Sequence, residues 1–490
     1  MPKLYALDGV SLDMLHFVHL LRTSFRITFC MAFAAYSLPA ETYGAETAKA
    51  ADAKASDVFT ATKVWDIHLG FTAEQWKAME PTQGPRAPRR QGGGFLQGPD
   101  GGRNGIAAAF GIQFNYVRAD LDFGPWRMSE VGVRYKGNGT FLTSRESLKR
   151  SLKLDLNQFQ KGQKLAGFSQ VNLHNSVRDP SCTNESIAYR LFRDCQVPAP
   201  RTAYAKVNVT VPGLYERKYL GLYNMVEDVG GHFAEEQLGT TKGALFKPVT
   251  PNLFGYLGED WQAYKQTYDA KATLDDAHKK RLIETCKLFA NASDGEFAAK
   301  VGEYLDLENT ARYLALTVWL VDLDGILGPG QNFYLHLHPQ TLKFGFIPWD
   351  QDQTFGQFPR GTAEQRVNLS IRKPWTGNNR FLERLFKTEA FMTTYLARLK
   401  EFNATTLKPE RIGKLVDELG PVLREPMAQE SPERLAGLNK ALAGETLSVV
   451  MGPGYREPIQ AKPIKAFVGA RWNAVEEQLA GRSQGQALGR

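Results

Sequence analysis

Two repeats of apolar and polar positions divide the chain. Alternation with a period of two, the mark of a strand with one buried face, recurs through the first half. Val64–Leu69, Ile106–Val117, Ala119–Phe123, Val131–Tyr135, Ser151–Leu156, Phe168–Leu173, Ala203–Val209, Tyr219–Asp228 and Ala244–Pro248 all read as strands. In the strand SLKLDL, Lys153 and Asp155 fall on the face opposite the leucines. Helical spacing governs the second half: Asp275–Ala290, Asp294–Tyr304, 310–320, Arg380–Lys400, Pro409–Val422 and Lys465–Leu479. One helix interrupts the strands, Asn184–Asp194, with Ile187, Ala188 and Leu191 inward and Glu185 in its first turn. Thr72-Ala73-Glu74-Gln75 is a capping box that opens a short helix through Met79. Residues Ala480–Arg490 read as a frayed end.

The segment Ala315–Gly356 departs from both patterns. It is apolar and aromatic, yet it holds Asp322, Asp324, Asn332, Asp350 and Asp352. Carboxylates in such a setting are costly unless a cation or a proton donor meets them. Gly325–Gly330 (GILGPG) is loop. Asn332–His338 alternates, Pro339–Thr341 turns, and Leu342–Ile347 alternates again, which predicts a hairpin closed by the loop Pro348–Asp352. Such a hairpin folds the second acidic loop back beside the first. Hard oxygen donors of this kind suit Mg²⁺, Mn²⁺ or Ca²⁺ rather than zinc.

This order, an Asp and a downstream Asn, a hairpin, then a further Asp, resembles the catalytic half of a protein kinase, although no HRD precedes the hairpin and no DFG follows it. Asp324-Gly325, Asn332-Phe333-Tyr334 and the run FIPWDQDQTFG (346–356) are similar to the CotH kinase family, whose PWDxDxxFG box the last run matches. GVRYKGNGT (132–140), TNESIAYRLFRDCQVPAPRT (183–202), GLYNMVEDVGGHF (221–233) and LFKP follow in that family's order. The resemblance spans about residues 60–485. It implies an α+β, two-lobed, atypical protein-kinase-like fold, with a β-rich N-lobe over 61–228 and a largely helical C-lobe with the catalytic hairpin over 229–485. It also implies metal-dependent transfer of the ATP γ-phosphate to Ser/Thr hydroxyls of a protein acceptor. Lys153 would hold the ATP phosphates, oriented by Glu185, and Glu227 would lie at the adenine-facing strand. Asp324 would be the base, Asp350 and Asp352 would bind Mg²⁺ or Mn²⁺, and Asn332 would join the metal. Arg134 and Lys136, beside the Gly137-Asn138-Gly139 turn, would add charge near the phosphates.

Composition is that of a globular protein, and the net charge is +8. Residues 1–45 are charge-balanced, so the excess sits in the body and fits an acidic partner such as a nucleotide or an acidic or cell-envelope protein, with no nucleic acid expected. Arg22 and Arg26 precede the apolar run Ile27–Leu38, short for a bilayer span and followed by small residues, as in an export signal. Residues 1–45 are therefore read as a leader, 46–60 as a flexible linker, and the mature chain as an exported monomer without a membrane anchor. Pro81–Gly105, with four Arg against one Asp, reads as a disordered insertion. Cys182 and Cys195 flank a helix whose ends stand about 18 Å apart. That is too far for a mutual disulfide, while either thiol could reach Cys286. Two other readings stay open. One is a pseudokinase scaffold that binds nucleotide or a partner without turnover. The other is a zinc hydrolase using His336, His338 and Asp350.

Overall fold

The alternating segments of the first half close on themselves. In the computed structural model, which describes residues 53–86, 96–99, 101–452 and 457–489, seven strands form a barrel. Around it they run Val64–Gly70, Val117–Phe123, Trp126–Tyr135, Leu152–Asp155, Gln170–His174, Tyr215–Glu227 and Thr202–Val211. Parallel pairing of the first strand with Thr202–Val211 closes the ring, and every other neighbour is antiparallel. The inward positions are those the alternation singled out: Ile67, Leu121, Val133, Leu154, Leu173 and Met225 fill the interior. The register then aligns what points out. Arg134 stands opposite Lys153, and Lys153 opposite Asn172, so one polar row crosses three strands.

A second hydrophobic core gathers the remaining elements, giving a mixed α+β protein. At its centre is the helix Leu307–Trp319, buried on nearly every side. The predicted hairpin pairs Phe333–Leu337 with Phe344–Pro348, and Ala244–Phe246 adds a third strand. Arg471, wholly buried on the last helix, donates to the carbonyls of Val318 (2.9 Å), Trp319 (3.2 Å), Val367 (2.9 Å) and Leu369 (2.8 Å). It thereby satisfies carbonyls at a helix end that have no partner within the helix.

A single ion cluster ties the barrel to the helix Pro409–Glu430. Both Glu430 carboxylate oxygens accept from Lys149 Nζ at 2.7 Å, Arg434 lies at 3.3 Å, and the Leu222 N–H donates at 2.9 Å. Gly221 (φ +133°) has no room for a side chain because the carboxylate occupies that space.

Several expectations need correction. Ile106–Val117 is not one strand: Ile106–Ala109 is a helical turn, Ile112–Gln113 pairs with Thr82–Gln83, and Val117 already belongs to the next barrel strand. Alternation there reflects a turn buried on one side. The Pro81–Gly105 insertion is ordered at its end, where Gln97 donates to Thr267 (3.1 Å) and Asn104 to the Gln266 carbonyl (2.5 Å); residues 87–95 and 100 lie outside the described residues. Thr388, with extended backbone, breaks Arg380–Lys400 into Arg380–Lys387 and Glu389–Ala404. The C-terminal tail is not frayed over its described part: Gln486 bridges Asn368 and Ser370, and Leu488 is buried. Cys182, Cys195 and Cys286 are all buried free thiols, so neither of the first two pairs with the third. The export-signal run and Cys30 lie outside the described residues, and no helix among those described is long and apolar enough to cross a membrane.

The ion cluster yields a pH-dependent prediction. Burial, then Arg434, pushes the Lys149 pKa down to about 8, so the native state sheds a proton that the unfolded chain keeps up to about 10.4. Glu430→Gln would lower that pKa further. Its cost through Lys149 is full below the mutant's own pKa and fades as pH passes 8, where Lys149 is neutral in both native proteins. Urea unfolding of Glu430→Gln should show a loss of about 3 kcal/mol near neutral pH and a smaller one at pH 9. A loss unchanged with pH would mean that Lys149 does not depend on Glu430.

Candidate active site

The hairpin sets the geometry of the acidic segment. Its strands pair Phe333 with Pro348, and the Trp349 N–H donates to the Asn332 carbonyl at 3.1 Å. Asp350 therefore emerges beside Asn332 and faces the loop of Asp324. The Phe355 N–H reaches back to the Leu320 carbonyl at 2.7 Å, tying the second loop to the first. Val321, Asn332, Asp350 and Phe355 all have φ between 53° and 60°. Asn and Asp tolerate that region, whereas a β-branched Val does not. Such a concentration of left-handed backbone is typical of a loop that aims side chains.

Asp324 is held by three amides. Gln331 donates to Oδ1 at 3.1 Å, and Asn332 (3.2 Å) and Gln353 (3.1 Å) donate to Oδ2. Burial, then the charges of Asp350 and Asp322, still raises its pKa to about 7. Asp352 is pushed well above the usual carboxylate range by burial and by Asp350. Asp322, with its pKa also raised to about 7, is buried against Gln351, and neither it nor Glu185, Asp324, Asp350 or Asp352 lines the neighbouring cleft. The excess of negative charge is concentrated at one place: His174, Glu185 and Asp350 present ligand atoms within 4.8 Å of one another. The Gln351 and Gln353 side chains, which donate to Asp322 and Asp324, each keep a buried Oε1 without a hydrogen-bond donor. A divalent cation at the cluster would find two carboxylates, Glu185 and Asp350, and the His174 imidazole; Asp352 and Asn332, expected to join the metal, are not in that group.

The neighbouring cleft is cationic. It has a volume of about 400 Å³ and is lined by Arg134, Lys136, Lys153, Lys247, Asp228 and Trp349, among others. Lys136 and Lys247 lie over the Trp349 ring at 5.2 and 5.0 Å, an arrangement worth roughly 0.5–2 kcal/mol per cation. Burial and the neighbouring lysine charges lower the Lys136 pKa to about 7 and the Lys247 pKa to about 8. Each would regain full charge on meeting a polyanion.

The expected pairs are exchanged. Lys153 does not meet Glu185; its Nζ bonds Asp228 at 2.8 Å. Glu185 instead accepts from His174 Nδ1 at 2.8 Å, and His174 Nε2 takes a hydrogen bond from Lys136 Nζ at 2.7 Å. Lys136 is thus the lysine linked to Glu185, through the His174 imidazole. Asn172 joins the two systems, accepting from Lys136 (2.9 Å) and donating to Asp228 (2.9 Å). Glu227 does not line the cleft. Its carboxylate is buried against Arg201 at 2.5 Å, and the following residues Asp228–Gly231 line the cavity instead. Asn332 spends its amide nitrogen on Asp324. His336 and His338 do not gather with Asp350: among the described residues, the groups that could hold a metal are His174/Glu185/Asp350 and Glu227/His232/Glu236. His174 and Arg178 escaped the sequence reading. His174 could have been found two positions after Asn172, on the same outward face of a strand.

The family model described as CotH kinase protein matches residues 133–479, more than half of the chain. The chain is also similar to the inner spore coat protein H of Bacillus subtilis (strain 168). That match is 23% identical over 319 residues, covering 62% of this chain and 81% of that protein. With the acidic hairpin, the lysine-lined cleft and the family match together, the chain belongs to the CotH kinase protein family.

Proposed function

We propose that this chain is an exported, metal-dependent kinase that transfers the ATP γ-phosphate to a Ser or Thr hydroxyl of a protein acceptor. The observation that carries the reading is a cleft lined by lysines and Arg134 whose Lys136 and Lys247 lie within electrostatic reach of Asp350, at the mouth of the acidic loops. Phosphoryl transfer asks mainly for positioning and charge neutralisation. Lys136, Lys153 and Lys247 would hold the phosphates, and Trp349 fixes two of those ammonium groups in place. Asp350 and Glu185, with the His174 imidazole beside them, would hold the cation, which when bound neutralises the triphosphate. Asp324, fixed by three amide donors, would take the acceptor hydroxyl's proton. The division into a barrel-based lobe over 61–228 and a helical lobe over 229–485, with the cleft between, is part of the same proposal, as is export directed by residues 1–45.

One observation favours the pseudokinase reading: Lys153, the lysine on the central strand, is engaged by Asp228 rather than by Glu185. Incubation with labelled ATP, Mg²⁺ or Mn²⁺ and an acidic acceptor protein separates the two. Label should pass to Ser or Thr, and Asp324→Asn should slow it by about 10²–10⁴-fold, with Asp350→Asn at least as damaging. Transfer that survives either substitution sinks the proposal, and nucleotide binding without transfer to any acceptor favours the scaffold. In steady-state kinetics Lys136→Met should raise the KM for ATP by about tenfold or more. An unchanged KM would remove Lys136 from the phosphate site.

A further inference from the structure

Arg178 is a cation that neither the lysine wall nor the acidic hairpin accounts for. It lies in the loop between the strand Gln170–His174 and the helix Asn184–Asp194. That loop is pinned at both ends: Asn175 donates to Ser144 at 3.0 Å and to the Lys149 carbonyl at 3.1 Å, and Asp179 accepts from the N–H groups of Ser181 and Asn184 at 2.9 Å each. Yet the guanidinium at its apex is sparsely used. Nε is buried without an acceptor, and Nη2 has a long contact of 3.4 Å with Thr143 Oγ1. Arg178 is half-buried, and its buried Nε donor is costly to leave without an acceptor.

Its position says where an anionic acceptor would sit. On one side is the Gly137-Asn138-Gly139 turn. A Cβ at Gly139 would collide with both terminal nitrogens of Arg178, and Gly139 is not among the glycines with positive φ, so this glycine is required for space alone. On the other side are Asp324 and Asp352, and the Arg178 charge opposes the upward pKa shift of each. The guanidinium therefore lies against the Gly137-Asn138-Gly139 turn and within electrostatic reach of Asp324 and Asp352, beside the cleft rather than in its lining.

We propose that Arg178 binds the phosphoryl group during its transfer, an arginine supplied from within the chain to the transition state. The inference rests on the kinase reading above. In the step, the acceptor hydroxyl oxygen bonds the γ-phosphorus as the bond from that phosphorus to the β,γ-bridging oxygen breaks. The released electron pair stays on the ADP oxygen, and the hydroxyl proton passes to Asp324. Negative charge spreads over the three equatorial oxygens, and a planar guanidinium matches two of them at once. Gly139 is the positioning residue that leaves room for it.

The test compares kcat for phosphotransfer with the Kd for a non-hydrolysable ATP analogue, using the full chain. Arg178→Ala should lower kcat by about a thousandfold while the Kd moves less than threefold, and added guanidinium chloride at millimolar concentration should restore part of the rate. Gly139→Ala, which displaces the guanidinium without removing it, should slow kcat in the same direction, and the double variant should be no slower than Arg178→Ala. A kcat within threefold of wild type, or a rate loss that guanidinium does not rescue and that tracks a lowered melting temperature, would make Arg178 a structural counter-ion and overturn the inference alone. A wild-type protein that transfers no phosphate would overturn the kinase reading beneath it.

Discussion

Carboxylates withdrawn from water need a proton, a donor or a cation, and this molecule is built around four that crowd one another. Glu185, Asp324, Asp350 and Asp352 come from three separate parts of the chain, and the charges of the first three all push the Asp352 pKa upward. Amide donors answer part of the need at Asp324 and an imidazole answers it at Glu185. What remains is met at Asp350 by neighbouring ammonium groups that are themselves partly discharged by burial and mutual repulsion. Both walls are thus poised short of neutrality, and a bound metal–polyanion pair would relieve both at once.

Holding such a site open requires a frame that does not yield. The barrel fixes the cationic wall by register, since Arg134, Lys153 and Asn172 are locked side by side. The hairpin fixes the acidic wall, with left-handed residues at its corners. Arg471 and Glu430 serve this frame from a distance. One secures the end of the helix that leads into the first acidic loop, and the other fastens the barrel to the long helix Pro409–Glu430.

Much of this could be read in the sequence, and the limits have physical causes. Alternation located the barrel strands because one face of each is buried, and the acidic box was conspicuous because its charges lie among aromatic residues. The hairpin and its convergence followed from two strands of similar length. Pairing partners were not legible. Lys153 and Lys136 are both outward-pointing cations near a glycine turn, and only the register decides that Asp228 takes one and His174 the other. Barrel closure was equally hidden, because it rests on a parallel contact between Val64–Gly70 and Thr202–Val211, far apart in the chain. Arg178 gave little signal, since one arginine in a Ser/Asn/Asp-rich loop reads as solvated until its neighbours are known.

A closed barrel has a further consequence for how a polypeptide could be recruited. Within the ring, no strand is left at an edge offering its backbone N–H and C=O groups to an incoming chain. An extended acceptor cannot extend the barrel sheet by strand addition. The three-stranded sheet that carries the hairpin is closed off differently: its outer strands Ala244–Phe246 and Phe344–Pro348 are met by the chain at Ala270 and Leu305, and the Leu245 and Phe344 carbonyls accept from the Lys271 and Asp306 N–H groups. Among the described residues, neither sheet beside the site offers a free edge, so an acceptor segment has to be gripped through its side chains.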